Sequence, residues 1–422
     1  MPEARYKATD LVRGALERLD ATEPDIRAWV RVDRDGALGA ARRLDATPPP
    51  GGPLRGVPFG VKDIIDVRGL PTECGSPLRQ GQVAASDAPV VDRLRQLGAI
   101  PLGKTVTTEF AYFAPGPTRN PHHLAHTPGG SSSGSAAAVA AGVVPLALGS
   151  QTAGSLTRPA AYCGVAGFVA PVGALDTTGF AGLSHSLDAV GLLTPTVADL
   201  RLAYLALTGA DRLPGPPPEP PAGVRLAVWP GTELTDIADT LRAALRRTAD
   251  RAVADGAVLV DVDWAARTPA LTEAHATVMA YESARALATE AAHPERLSAP
   301  LGELLARGRA TTATDYRQAL SVAERGRSEM LSLLADVDAV LGPAAPGPAP
   351  SGLAATGSPV LSRPWQLLGL PALTVPGHRD GHGLPLGLQL IGHPDRLERL
   401  FSLGHAMERA IGQAPGRATG PV

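Results

Sequence analysis

The sequence predicts an α/β fold, a large mixed and mostly parallel β-sheet sandwiched between helices. Three observations carry that expectation. Short apolar runs bounded by Gly and Pro alternate with stretches of helical periodicity along the 422 residues. A full strand–helix–strand unit follows residue 223: "VRLAVWP", then "DTLRAALRRTADRAVADG", then "AVLVDV". With a Gly at the helix exit it reads as a crossover, hence parallel pairing. A composition of 44% hydrophobic and 19% charged residues supplies a core large enough to cover a sheet.

The elements follow in order. Leu11, Ala15 and Leu19, flanked by Val12 and Leu16, recur at helical spacing, with Thr9 or Asp10 placed to cap. A further helix and the loop "ATPPPGGPLRG" lead to Val57, Phe59 and Val61, a short strand that delivers Lys62 at its end. "AIPLGKT" (99–105) is a second strand. "SAAAVAAG" (135–142) is a small-residue helix ended by Gly, and the buried run "VVPLALG" follows it. "LPGPPPEPPAG" (213–223) is too proline-rich for a helix or a central strand. It reads as a linker between a core of about 55–212 and a C-terminal half of about 224–412, within one domain spanning 1–422. Helical patterns fill 269–336, and apolar strands return at "DAVLGP", "PALTVPG" and "LPLGLQLIG".

A formal net charge of −2 with no basic run argues against nucleic acid as the main ligand. Cys74 and Cys163 cannot build a disulfide framework, so a thiol-reducing cytoplasm is the default location. The start "MPEARYKATDL" has no apolar region and no window holds eighteen uninterrupted apolar residues, so neither secretion nor a membrane span is expected. His122 and His126 stand four apart, but Pro and Gly flank them. A surface loop is the better reading, and no metal is expected. Cys163, among small residues in "AAYCG", reads as a core thiol.

The basic residues are unevenly chosen. Of 39, only Lys7, Lys62 and Lys104 are lysine, and the other 36 (39 − 3) are arginine. Lysine can lose its proton when buried, whereas arginine stays charged. Lys62 is therefore a candidate for an amine that must be neutral. The other chemical concentration lies in "TPGGSSSGSAAAVAAGVVPLALGSQTAGSLTRPA" (127–160). Gly129 and Gly130 allow close backbone approach, and four serines fall within the next five residues. A helix cap needs one hydroxyl, not four. Successive N–H groups in the second cluster, "GSQTAGS" (149–155), suit an anion, either a phosphate or the oxyanion of acyl transfer.

Three readings compete. A phosphate loop ending in Lys104 lacks the upstream Gly at the required spacing. "GSSSG" formally fits a hydrolase elbow around Ser132, but no strand precedes it. In the third reading a desolvated Lys62 is general base for a serine nucleophile.

"GVPFGVKDIID", "PGGSSSGSAAAVAAG", "QTAGSLTRPAAYCGVAGF" and "SLDAVG" resemble the amidase signature family in order and spacing, over roughly residues 10–410. The late segments "GLPALTVPG" and "GLPLGLQLIG" are similar to its last sheet strands. "GSQTAGS" followed by Arg158 resembles the malonamidase branch. The resemblance implies a Ser–cisSer–Lys triad: Ser155 the nucleophile, Ser131 the serine held in a cis peptide, Lys62 the base. It implies an oxyanion site at the backbone of Gln151, Thr152, Ala153 and Gly154, no cofactor, and an acyl-enzyme route releasing ammonia. Arg158 becomes a clamp for a substrate carboxylate, with Ser132 and Gly130 beside it. Ser132 and Thr152 become hydroxyls that support the nucleophile. Lys104 and Asp188 are family positions read as structural.

This chain departs from the family pattern D-T-G-G-S-I-R-x-P. Gln151 replaces the acid, Ala153 a Gly, and Thr157 the Arg, which follows one place later. Substrate recognition should differ accordingly. The implied activity is C–N hydrolysis of a small polar amide, a carboxylated one such as malonamate. The alternatives are a carboxylated urea as substrate, a non-catalytic binding protein on the same fold, and an amidotransferase A-type subunit. The expected partner is a small molecule, with neither nucleic acid nor membrane; a homodimer is compatible.

Overall fold

The apolar runs pair into one eleven-stranded sheet among the residues described by the computed structural model, which are 7–46, 52–209, 215, 217–220 and 222–412. Parts of the loop before residue 52 and of the proline-rich linker lie outside them. The strands are β1 (Trp29–Val32), β2 (Pro58–Lys62), β3 (Ile100–Thr105), β4 (Leu146–Gln151), β5 (Ala166–Val169) and β6 (Ala189–Thr194). They continue as β7 (Arg225–Val228), β8 (Val258–Val260), β9 (Ala339–Pro343), β10 (Ala372–Arg379) and β11 (Pro385–Ile391). Across the sheet they run β1-β3-β2-β4-β6-β5-β10-β11-β9-β7-β8. Every residue of β2 to β6 is buried. Strands covered on both faces tolerate unbroken apolar runs, which is why the sequence shows no alternation there.

The helices are α1 (Ala8–Ile26), α2 (Arg34–Ala46), α3 (Pro89–Gln96), α4 (Ser133–Ala140), α5 (Thr157–Cys163) and α6 (Val197–Leu207). The second half adds α7 (Asp239–Ala254), α8 (Thr268–Ala286), α9 (Ala299–Ala310), α10 (Ala313–Asp336), α11 (Arg363–Leu367) and α12 (Leu397–Gly412). As expected, the β7–α7–β8 unit is parallel. The sheet is mixed, but parallel pairing does not dominate. β2 with β3 and β4, and β7 with β8 and β9, are parallel. The other six pairings are antiparallel. β10 and β11 are joined by a short turn, and a connection that short permits only antiparallel pairing.

The start of α1 also differs from expectation. Neither Thr9 nor Asp10 caps it, because the helix already begins at Ala8. The Asp45 carboxylate, from the end of α2, accepts the Ala8 N–H at 2.7 Å and the Thr9 N–H at 3.1 Å. The cap comes from another helix, so local sequence could not display it. α4 is the small-residue helix expected, and the reason is contact. A Cβ on Gly134 would lie 2.2 Å from Ala28 O and 2.4 Å from Val106 N, both immobile backbone atoms.

Gly134→Ala should therefore destabilise the protein by about 1–3 kcal/mol or more through overpacking. Gly39→Ala, inside α2 with only a flexible Arg43 tip at 3.5 Å, should stabilise it by about 0.5–1 kcal/mol. Chemical denaturation of the two variants checks both signs.

Candidate active site

Lys62 ends β2, and the parallel register of β2 with β4 sets Val61 opposite Leu148. Lys62 thus lies alongside the Gly149–Ser150 end of β4. The Ser-rich loop before α4 is laid against the second cluster by a hydrogen bond from Ser132 N–H to Ser155 O at 3.0 Å. The outcome is a contact no local pattern contains. Lys62 Nζ sits 2.7 Å from Ser131 Oγ and 2.8 Å from Ser150 Oγ. The Gly130–Ser131 peptide is cis.

The amine has no exposed surface. Burial, only partly opposed by the Asp188 carboxylate, pushes its pKa down to about 7. A neutral amine carries two N–H groups and one lone pair. If Ser150 accepts an N–H, the lone pair is free to face Ser131.

Ser131 and Ser155 line one cavity with Thr152, Ala153 and Arg158. Its free volume is only about 20 Å³, room for about one water, so a substrate must displace side chains of its wall. None of the N–H groups of residues 152–155 is spent on an acceptor among the described residues. Such unspent donors beside a serine are what an oxyanion requires.

The turn is braced from three sides. Gln151 Oε1 accepts the Leu156 and Thr157 N–H groups, each at 3.0 Å, and its Nε2 donates to Gln366 Oε1 at 3.0 Å. Thr152 Oγ1 donates to Asp188, whose pKa burial pushes up to about 6 against that hydrogen bond. His275 of α8, held neutral by burial with its pKa down to about 3, has Nε2 2.7 Å from Thr152 O.

The structure thus gathers Ser131, Ser155, Thr152, Ala153 and Arg158 at one cavity, with Lys62 standing off its wall and reaching it only through Ser131. It does not bring Gln151, Gly154, Gly130 or Ser132 to its wall. Gln151 acts through its side chain as a brace. Gly154 has no room for a Cβ, which would meet Pro359 Cβ at 2.9 Å. Ser132 is fully buried, with Oγ 3.3 Å from Ser150 O, so it supports β4 and cannot reach substrate. The Gly130 carbonyl is occupied by Arg158 Nη2 at 2.6 Å. Arg158 also donates to Gly357 O at 2.9 Å and Thr356 Oγ1 at 3.1 Å, and no carboxylate pairs with it among the described residues.

Lys104 pairs with Asp63 at 2.9 Å and donates to Pro71 O and Thr72 Oγ1, a structural role. The rings of His122 and His126 lie within 2.8 Å of the Cys163 and Ala349 carbonyls. Cys163 is buried.

Sequence reasoning missed Ser150, His275, Arg363 and Gln366. Ser150 had a signal, since a strand parallel to the one ending in Lys62 must place its own end beside it. The other three had none. No helix among the described residues is long and apolar enough to cross a membrane.

The sequence profile of the amidase family matches residues 10–400. The chain is 32% identical over 461 aligned positions to the A-type subunit of glutamyl-tRNA(Gln) amidotransferase from Synechococcus sp. (strain RCC307), covering 97% of this chain and 95% of that one. A solved amidase is 32% identical, with TM-score 0.87 and 96% of each chain covered. A structure described as a vestigial protein complex revealing the origins of an s-triazine catabolic enzyme is 30% identical, with TM-score 0.87, covering 97% and 96%.

Two outcomes follow from Lys62. If its neutral form is the base, kcat/KM rises with pH through a limb near 7. The folded chain has released this proton above about pH 7, whereas an unfolded lysine holds it to about 10.4. The unfolded state binds more protons in that window, so stability rises with pH there. Lys62→Met should abolish turnover and remove that rise from denaturant unfolding curves taken between pH 7 and 9. Ser150→Ala, which leaves the amine one partner short, should lower kcat about tenfold, the worth of one hydrogen bond; steady-state kinetics at pH 8 decides.

Proposed function

Because the chain belongs to the amidase family, whose members hydrolyse amides, we propose that it cuts the C–N bond of a small carboxylated amide such as malonamate. The observation that carries the mechanism is the buried Lys62 amine in contact with Ser131 Oγ. Neutral Lys62 takes the Ser131 proton, Ser131 takes the Ser155 proton, and Ser155 Oγ bonds to the amide carbon. The oxygen that gains charge is received by the unspent N–H groups of residues 152–155. The relay returns the proton to the leaving nitrogen, the C–N bond breaks, and ammonia departs. Water, deprotonated by the same relay, then splits the acyl-enzyme and restores Ser155. The chain from 1 to 422 works in this reading as one catalytic unit.

The carboxylated substrate is supported by two arginines on the cavity wall, Arg158 and Arg363. Neither has a carboxylate partner among the described residues. The malonamidase branch rests on the "GSQTAGS" segment and Arg158.

The named relatives support a second reading more directly than they support malonamate. At 32% identity across nearly the whole chain they are A-type amidotransferase subunits, named for glutamyl-tRNA(Gln). In this reading the released ammonia serves a tRNA-bound substrate, and the assembly includes partner proteins and nucleic acid.

Ammonia release from malonamate beside uncharged malonamide separates the readings. A kcat/KM ratio of about ten or more, about 1.4 kcal/mol, supports the carboxylated amide. Equal turnover retains the triad and rejects the carboxylate. If the chain alone cuts neither, the amidotransferase reading and a carboxylated urea take precedence. Ser155→Ala should abolish any turnover seen; turnover that survives it removes the nucleophile.

A further inference from the structure

Arg158 and Arg363 face the same cavity in different states. Arg158 is largely spent on structure through its two terminal nitrogens, although its Nε, like that of Arg363, is buried without an acceptor. Its Nη2 holds the Gly130 carbonyl, the peptide that enters Ser131, and both terminal nitrogens bind the 356–357 loop. The Arg363 side chain makes no hydrogen bond or ion pair with any described residue, and its Nε is buried with no acceptor. The carboxylate whose charge reaches it, Glu273, is bound by Arg307 at 2.9 Å. A partly buried guanidinium with five unspent donors is a costly arrangement unless an anion arrives.

Its placement is rigid. Arg363 opens α11, and Gln366 stands three residues on, hence on the same side of the helix. Gln366 Nε2 donates to Gln151 O at 3.2 Å and to Leu187 O at 2.5 Å, while its Oε1 accepts from Gln151 Nε2. Upstream, Pro359 packs where Gly154 lacks a Cβ. The segment carrying Arg363 is therefore docked on the nucleophile turn itself, through the Gln that replaces the acid usual in the family at position 151.

We propose that Arg363, rather than Arg158, receives the substrate carboxylate, and that Arg158 positions the peptide ahead of Ser131. The inference rests on the carboxylated-amide reading. It names a specificity residue that the Ser- and Gly-rich motif does not contain.

The test compares wild type with Arg363→Met, Arg363→Lys and Arg158→Met, using malonamate and malonamide as substrates. Malonate binding to the Ser155→Ala protein, with and without Arg363→Met, is measured by calorimetry. Thermal unfolding midpoints confirm that each variant folds. The malonamate-to-malonamide kcat/KM ratio should fall about 10- to 100-fold in Arg363→Met, the range for a charged hydrogen bond, and recover in part in Arg363→Lys. Malonate binding should weaken by a similar factor. Arg158→Met should lower kcat on both substrates and keep their ratio. An unchanged ratio and unchanged malonate binding in folded Arg363→Met overturn the assignment, as does loss of the ratio in Arg158→Met alone. A wild type that never prefers malonamate overturns the carboxylated-amide reading first, and this inference with it.

Discussion

The arrangement of the whole site depends on burying one amine between two serine hydroxyls with no carboxylate in contact. Removing Lys62 from water disfavours its charge, and the charge of Asp188 opposes that shift only in part. A carboxylate at hydrogen-bond distance would restore the ammonium and leave no lone pair facing Ser131. Hydroxyls satisfy the nitrogen without supplying that charge. The requirement explains why every residue of β2, β3 and β4 is buried. A water-filled neighbourhood would return the proton to the amine.

From that constraint the braces follow. The turn over 152–155, whose N–H groups are left unspent, has few bonds of its own to hold it. The Gln151 side chain at its start and side chains from three other segments supply the missing order. Gln151 closes back on α5, Gln366 reaches in from α11, Asp188 holds the Thr152 hydroxyl and His275 meets the Thr152 carbonyl. Each touches the turn from outside the cavity, so the inward donors remain free. Arg158 does the same for the Ser131 loop by binding the Gly130 carbonyl. The Gln151–Gln366 amide pair also explains why the loss of the family's acid at 151 is tolerated: a neutral amide both accepts from α5 and donates to α11.

Much of this was legible in one dimension. Three lysines against 36 arginines drew attention to Lys62, and the two Gly/Ser clusters located both hydroxyls. The β7–α7–β8 crossover was readable because a helix of that length between two strands permits only one return path. The sheet's antiparallel majority was not. Buried strands in either sense present the same continuous apolar runs, so direction is fixed by which neighbour each strand meets. The cap of α1 was misplaced for a similar reason, since Asp45 stands 37 residues from the amide it accepts.

The sequence by itself determined the family, the triad candidates and the α/β class, because those are carried by residue type at short spacing. Tertiary structure alone decided which groups hold the turn and which line the cavity. His275 and Gln366 lie 123 and 215 residues from their partners, and nothing in their local surroundings marks them. Arg363 is one arginine among 36, indistinguishable by type. What sets it apart is having no side-chain partner among the described residues in a partly sheltered place, and that property exists only once the chain has closed around it.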